Sequence, residues 1–236
     1  MTRTVLLNNV DHHALRVIQR RGASLGDSVM LAHTFPAEFR NLQAHYPIVF
    51  QKSADGTSFH PVALFGLQAE QNLFLQGDGW DASYLPLAMQ RGPFYIGQDG
   101  DALLVHVDLD SPRLSLTEGE LLFLPHGGQT DVLEQATAVL LAIHQGLQAL
   151  PAFTDALLAH GLLESFVLDL TDPDGTEGRL AGFYTIHEER LAALAGPALE
   201  QLHRAGHLEP IYMAVASLSN LRALIDRRHR LHAGSR

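Results

Sequence analysis

The chain has no cysteine, which excludes disulfides, thiolate metal sites and a cysteine nucleophile. It is poor in basic charge. Sixteen Lys and Arg face 26 Asp and Glu, for a formal net charge of -10. That balance argues against nonspecific nucleic-acid binding, which needs cations to neutralise phosphates, and against an anionic membrane surface. Charge of either sign is scarce at 18%, against 46% hydrophobic residues, which is a globular rather than a disordered composition. Long apolar runs are missing as well. None approaches the roughly 20 residues that cross a bilayer, so the sequence predicts no membrane span. The N-terminus reaches Asp11-His12-His13 too soon to hold an export segment. A soluble, cytoplasmic protein is the expectation. No Gly-x-Ser-x-Gly elbow, His-Glu-x-x-His pair or Gly-x-Gly-x-x-Gly fingerprint occurs, so the usual signatures of hydrolases, zinc enzymes and dinucleotide binding are absent.

What is present divides by texture. The 236 residues suffice for one large domain, expected here as a single unit over 1–236 with a β-rich lobe to about residue 125 and a helix-rich part over 126–236. In the first part, Val29–Phe35, Ile48–Phe50, Pro61–Leu67, Leu73–Leu75, Phe94–Ile96, Leu103–Leu109 and Leu121–Leu124 read as short strands. Ala54-Asp-Gly56, Gln76-Gly-Asp-Gly79 and Gln98-Asp-Gly-Asp101 separate them with turn chemistry. Pro36–His45 fits a short helix with Pro36 in its first turn. In the second part, Thr130–Leu150 carries apolar residues at the 3.6-residue period and is expected to stop at Pro151. A second helix is expected over Phe153–His160, then a hairpin of Ser165–Leu170 and Leu180–Ile186 around Asp172-Pro-Asp-Gly175, where two acids and a glycine hint at a calcium loop without its remaining ligands. Helices follow at Glu188–Leu194, Pro197–Arg204 and Leu218–Leu231, the last capped by Ser217 or Ser219. The expected fold is α+β: a small, mainly antiparallel sheet with helices packed on one face and a helical C-terminal half.

The most informative stretch runs from Asn72 to Tyr95. It holds the only tryptophan, a Gly77-Asp-Gly79 turn and an Arg91-Gly-Pro-Phe94 step. Trp80, Tyr84, Phe94 and Tyr95 place four aromatics in a region shaped by Gly and Pro, a composition suited to a contact surface. With Arg91 they form the candidate partner- or ligand-binding set. The simpler alternative is that Trp80 is a core anchor and the glycines only make a turn.

Four segments in order resemble the SapC family of bacterial surface-layer-associated proteins. They are Tyr46-Pro-Ile-Val-Phe50; Pro61-Val-Ala-Leu-Phe-Gly66 leading to Asn72-Leu-Phe74 and Gly79-Trp80; Gly119-Glu-Leu-Leu-Phe123 with Gly127-Gly128; and Gly182-Phe-Tyr-Thr-Ile-His-Glu-Glu-Arg-Leu191 with Gly206-His-Leu208 and Ser217-Leu-Ser-Asn-Leu221. Two positions depart from the family pattern. Arg91-Gly-Pro-Phe94 stands where Arg-Tyr-Pro-Phe is expected, and His187 stands where an acid is expected. The resemblance implies a part in a surface-layer or nutrient-uptake system, since such proteins sit in gene neighbourhoods with tryptophan halogenases, cupin-like oxygenases and TonB-dependent receptors. Any surface association rests on it alone. It supplies no catalytic residues.

Fourteen histidines invite a metal reading. His106 and Asp108 lie two apart on an expected strand, so both side chains point to one face. A third ligand from His160 or His187 would complete the two-histidine, one-carboxylate site of an iron- and 2-oxoglutarate-dependent oxygenase. Against it stands the plain reading of a polar strand face. Ser217-Leu-Ser219 beside His203 and His207 is a still thinner case for a hydrolase. The sequence therefore favours a non-enzymatic accessory protein, without cofactor, that recognises a protein or peptide partner; the oxygenase using Fe2+ and 2-oxoglutarate is the alternative.

Overall fold

A computed structural model describes residues 3–100, 102–171, 175 and 177–234. Asp172 and Asp174 of the suspected calcium loop lie outside these residues. The fold is α+β, and the chain divides into two compact bodies. The first comprises Met1–Ser28, Leu75–Asp81 and Leu87–Gln145, and the second Val29–Phe74, Ala82–Pro86 and Gly146–Arg236.

In the first body, Thr4–Leu6, Ala102–Asp108 and Phe94–Asp99 form an antiparallel sheet with Ala102–Asp108 in the middle. The hairpin joining the last two turns at Gly100, with φ 57°, as the turn residues predict. Arg16–Val17 pairs with Leu114–Ser115 on one side and Glu120–Leu121 on the other. Leu75–Gln76 and Gly79–Trp80 close a third, two-stranded sheet around Gly77-Asp78. Alternation along the strands sends Val5, Val107, Phe94, Val105 and Ile96 inward, onto Leu15, Val17, Leu122, Val132, Leu133 and Leu140. The opposite face, with Leu6, His106 and Tyr95, is left outside.

The second body is built on a five-stranded antiparallel sheet in the order Leu163–Thr171, Glu177–Ile186, Ile48–Lys52, Phe59–Leu64, Leu31–His33. Among the described residues the strands are thus spread over four sheets rather than gathered into one. Helix Leu208–Ser217 packs on Glu177–Ile186 and Ile48–Lys52. Ser217 is fully buried there. Its hydroxyl donates to the Ala214 carbonyl at 2.6 Å and accepts the Ile48 amide at 2.9 Å. This corrects the expectation that it caps the last helix, which spans Asn220–Gly234; the hydroxyl instead ties a helix end to a strand. Tyr46, Phe65 and Phe74 make an aromatic cluster with ring centres 4.7–6.3 Å apart. The Arg227 guanidinium lies 4.4 Å from the Phe74 ring centre, so part of the basic edge of the last helix is accounted for by packing.

The clearest departure from expectation is one helix, Asp131–Ala159, that runs through Pro151. Proline removes the bond to the Leu147 carbonyl. Leu147 and Pro151 are both exposed, so this turn of the helix faces solvent, and the Thr154 hydroxyl donates to the carbonyls of Leu150 and Pro151 at 3.2 and 3.1 Å. By length and composition this helix is sufficient to cross a membrane, unlike any uninterrupted apolar run, and a third of the qualifying window (33%) is buried. A core helix passes the same test.

Candidate functional site

The outer face of the Thr4–Leu6, Ala102–Asp108, Phe94–Asp99 sheet gathers three of the residues singled out above. Tyr95 pairs directly with His106, and His106 pairs with Leu6 on its other side. Paired residues share a face, with side chains roughly 4.5–5.5 Å apart at Cβ. Tyr95 is 37% exposed and Leu6 46%. Arg91 joins the row from the end of the short helix Leu87–Gln90. Its guanidinium carbon lies 4.2 Å from the Tyr95 ring centre, and Nη1 donates to the Phe94 carbonyl at 2.9 Å. The second contact supports the first, because a guanidinium bonded to the backbone through one nitrogen is held beside the ring. Gly92 makes the turn between them at φ 56°, a left-handed conformation in which a tyrosine would be strained. His106 folds over Gly97, where an added Cβ would meet its Cε1 at 2.4 Å. His106 Nδ1 lies 3.3 Å from the Leu104 carbonyl. The face therefore presents an aliphatic, an imidazole, a phenol and a guanidinium, with the last three held in place by internal contacts.

The other candidates stand elsewhere. Phe94 is 2% exposed and belongs to the core of the first body; alternation along the strand turns it inward while Tyr95 faces out, so it does not contribute to a contact surface. Trp80 is half-buried in the two-stranded hairpin of the first body, opposite Leu75. Tyr84 belongs to the second body. Its hydroxyl donates to Glu38 Oε1 at 3.1 Å, its carbonyl accepts the Tyr46 hydroxyl at 2.5 Å, and Glu38 Oε2 accepts the Thr34 hydroxyl at 2.6 Å. Burial first, and the adjacent Glu38 carboxylate second, hold the Tyr84 hydroxyl well above the usual phenol pKa. This polar knot is structural: each group named has a partner within the fold.

The proposed metal ligands are used locally. Asp108 is 8% exposed, and its Oδ1 accepts the Asp110 amide at 3.1 Å in the turn that ends the strand. His187 caps helix Glu188–Ala192, its Nδ1 accepting the Arg190 amide at 3.5 Å, and the same atom lies 3.9 Å from Glu164 Oε2. Histidine thus takes the capping position. His106 and Asp108 belong to the first body, and His160 and His187 to the second. Among the described residues, no three His, Asp or Glu side chains are grouped to hold an ion.

Two features escaped the sequence. Leu6 gave no signal, because a three-residue strand is too short to show alternation. Asp27, 1% exposed, is bound by Arg113 at 2.5 Å and by the Gly22 amide at 2.8 Å; Arg113 also donates to the carbonyls of Ile18 and Arg20 at 3.1 and 3.0 Å. This buried ion pair of the first body spans 86 residues of sequence, which no local pattern reveals.

A family model described as SapC matches residues 7–224 of the chain. Comparison with curated proteins and with solved structures found no match.

Proposed function

The chain belongs to the SapC family, and from that premise we propose that it is a non-enzymatic accessory protein that recognises a protein or peptide partner within a surface-layer or nutrient-uptake system. The observation that carries the binding half of this reading is the row Leu6, His106, Tyr95 and Arg91 on one exposed sheet face. Interfaces are enriched in tyrosine and arginine, and their energy concentrates in a few such residues held rigid before contact. Tyr95 meets that description, with a half-exposed ring stacked under a guanidinium that is itself anchored to the backbone. The second half, the system in which it works, rests on family membership.

The test is purification of the tagged chain from its native cell, beside Tyr95→Ala and Arg91→Ala. Tyr95 is exposed and Arg91 half-buried, neither belongs to the core, and both variants are expected to keep the wild-type circular dichroism and melting temperature. A specific co-eluting protein should be lost or weakened by about 30-fold in Tyr95→Ala, the size of a residue contributing about 2 kcal/mol. Retention of the same partner at the same affinity in both variants removes this face from the proposal.

A further inference from the structure

The second body carries a pair of histidines that the partner face does not use. His33 ends the edge strand Leu31–His33, and His60 lies on the neighbouring strand Phe59–Leu64. His33 is opposite Val62 in the register, so His60 is its diagonal neighbour on the same sheet face. Their ring centres are 6.1 Å apart, with the rings edge to face at 89°. We propose that His33 and His60 form a two-imidazole site for a first-row divalent transition-metal ion, with water completing the coordination.

The distance argument is direct. Imidazole nitrogen binds such ions at about 2.0–2.1 Å, which puts the centres of two rings sharing one ion roughly 4.5–6.3 Å apart, depending on the angle at the metal. The observed spacing falls inside that window. A small rotation about the side-chain bonds of His33, which is exposed, reaches a tetrahedral angle. The second ring has a hydrogen-bond partner on one of its nitrogens. His60 Nε2 lies 3.3 Å from the Ser58 hydroxyl. A proton held on Nε2 for that oxygen leaves the Nδ1 lone pair free for the metal, an outer contact of the kind that sets the tautomer of metal-bound histidine. Ser58 is itself fixed, its amide bonded to the Ser53 hydroxyl at 3.0 Å. Gln51, directly opposite His60 on the strand Ile48–Lys52, adds a neutral carboxamide on the same face. Neutral nitrogen donors without a carboxylate select copper, nickel or zinc over magnesium or calcium, with copper bound tightest.

The experiment uses the full-length chain and the metals alone. Titration calorimetry with Zn2+ and with Cu2+ is run on the wild type, His33→Ala, His60→Ala, and a His12→Ala/His13→Ala control placed in the first body. The expected result is one site per chain, bound more tightly by Cu2+ than by Zn2+. It should weaken at least tenfold in either single variant and stay unchanged in the control, with a Cu2+ spin-resonance signal from two equivalent nitrogens. Far-ultraviolet dichroism without metal reports folding, and the exposed His33 keeps the test open should His60→Ala unfold. Equal affinity in the wild type and His33→Ala overturns the proposal, as does a signal from one nitrogen. Loss in the control alone assigns the binding to another pair of the fourteen histidines and also overturns it.

Discussion

Tyr84 lies in a segment whose aromatic content suggests a surface for another molecule, yet its hydroxyl points to a carboxylate that is 2% exposed. The consequence is a pH dependence of definite sign. The phenol pKa is raised in the folded state by burial and by Glu38, so the folded chain holds that proton more tightly than the unfolded one. Its contribution is complete below the unfolded value of about 10 and is lost as pH rises toward the folded value. Urea midpoints measured between pH 8 and 11.5 should therefore fall above about pH 10, and fall less steeply in Tyr84→Phe, which has nothing to ionise. Equal slopes in the two proteins would show that the hydroxyl is not bound as described. Glu38 stands 46 residues from Tyr84 in sequence, which is why composition marks the tyrosine but not its role. His187 is the converse case. Its departure from the family pattern is visible in the sequence and raises doubt about the position, while the fold shows the imidazole accepting the Arg190 amide as a capping acid would.

Elements set by local chemistry were legible. The hairpin Phe94–Asp99 with Ala102–Asp108 follows from its Gly and Asp turn, and Glu177–Ile186 with Leu163–Thr171 follows from alternation on both sides of a Pro-Asp-Gly sequence. Elements set by packing were not. Helix Leu208–Ser217 carries Pro210 near its start and buries it with Ile211 and Ala214, so its first turn reads as loop. Helix Asp131–Ala159 survives Pro151 because that turn is on the wet side. The same helix carries Gly146 where an added Cβ would stand 2.1 Å from the Phe35 ring. Alanine there should gain about 1 kcal/mol of helix propensity. Overpacking against a ring that is 5% exposed costs about 1–3 kcal/mol and outweighs it. Gly146→Ala should then be destabilised in chemical denaturation by up to about 2 kcal/mol, and adding Phe35→Leu should relieve the loss attributable to the alanine. A stabilised single variant would mean that the ring moves aside freely.

At the scale of the molecule, α+β composition is readable from the texture of the two halves, whereas the division into two bodies is not. The chain passes from the first to the second at Ala82 and back at Leu87, a change settled by distant partners such as Glu38 and Tyr46 rather than by any linker. Helix Asp131–Ala159 raises the remaining question at this scale, since it is long and apolar enough to span a bilayer. Its apolar residues are already engaged. Val132, Leu133 and Leu140 are buried in the first body, and Leu150, Phe153 and Leu157 in the second. Withdrawing six such side chains forfeits roughly 1.5–3 kcal/mol each, together about 9–18 kcal/mol, as large as the roughly 5–15 kcal/mol that holds a domain folded. Insertion would therefore require both bodies to open. The exposed Leu141, Leu147 and Leu158, 41–46% accessible, are too few and too separated to offset that cost. The expected outcome is that alkaline carbonate releases the chain from any membrane fraction and that it enters the aqueous phase on detergent partition. Retention in the detergent phase, with protease protection over 131–159, would show instead that this helix leaves the two cores for lipid.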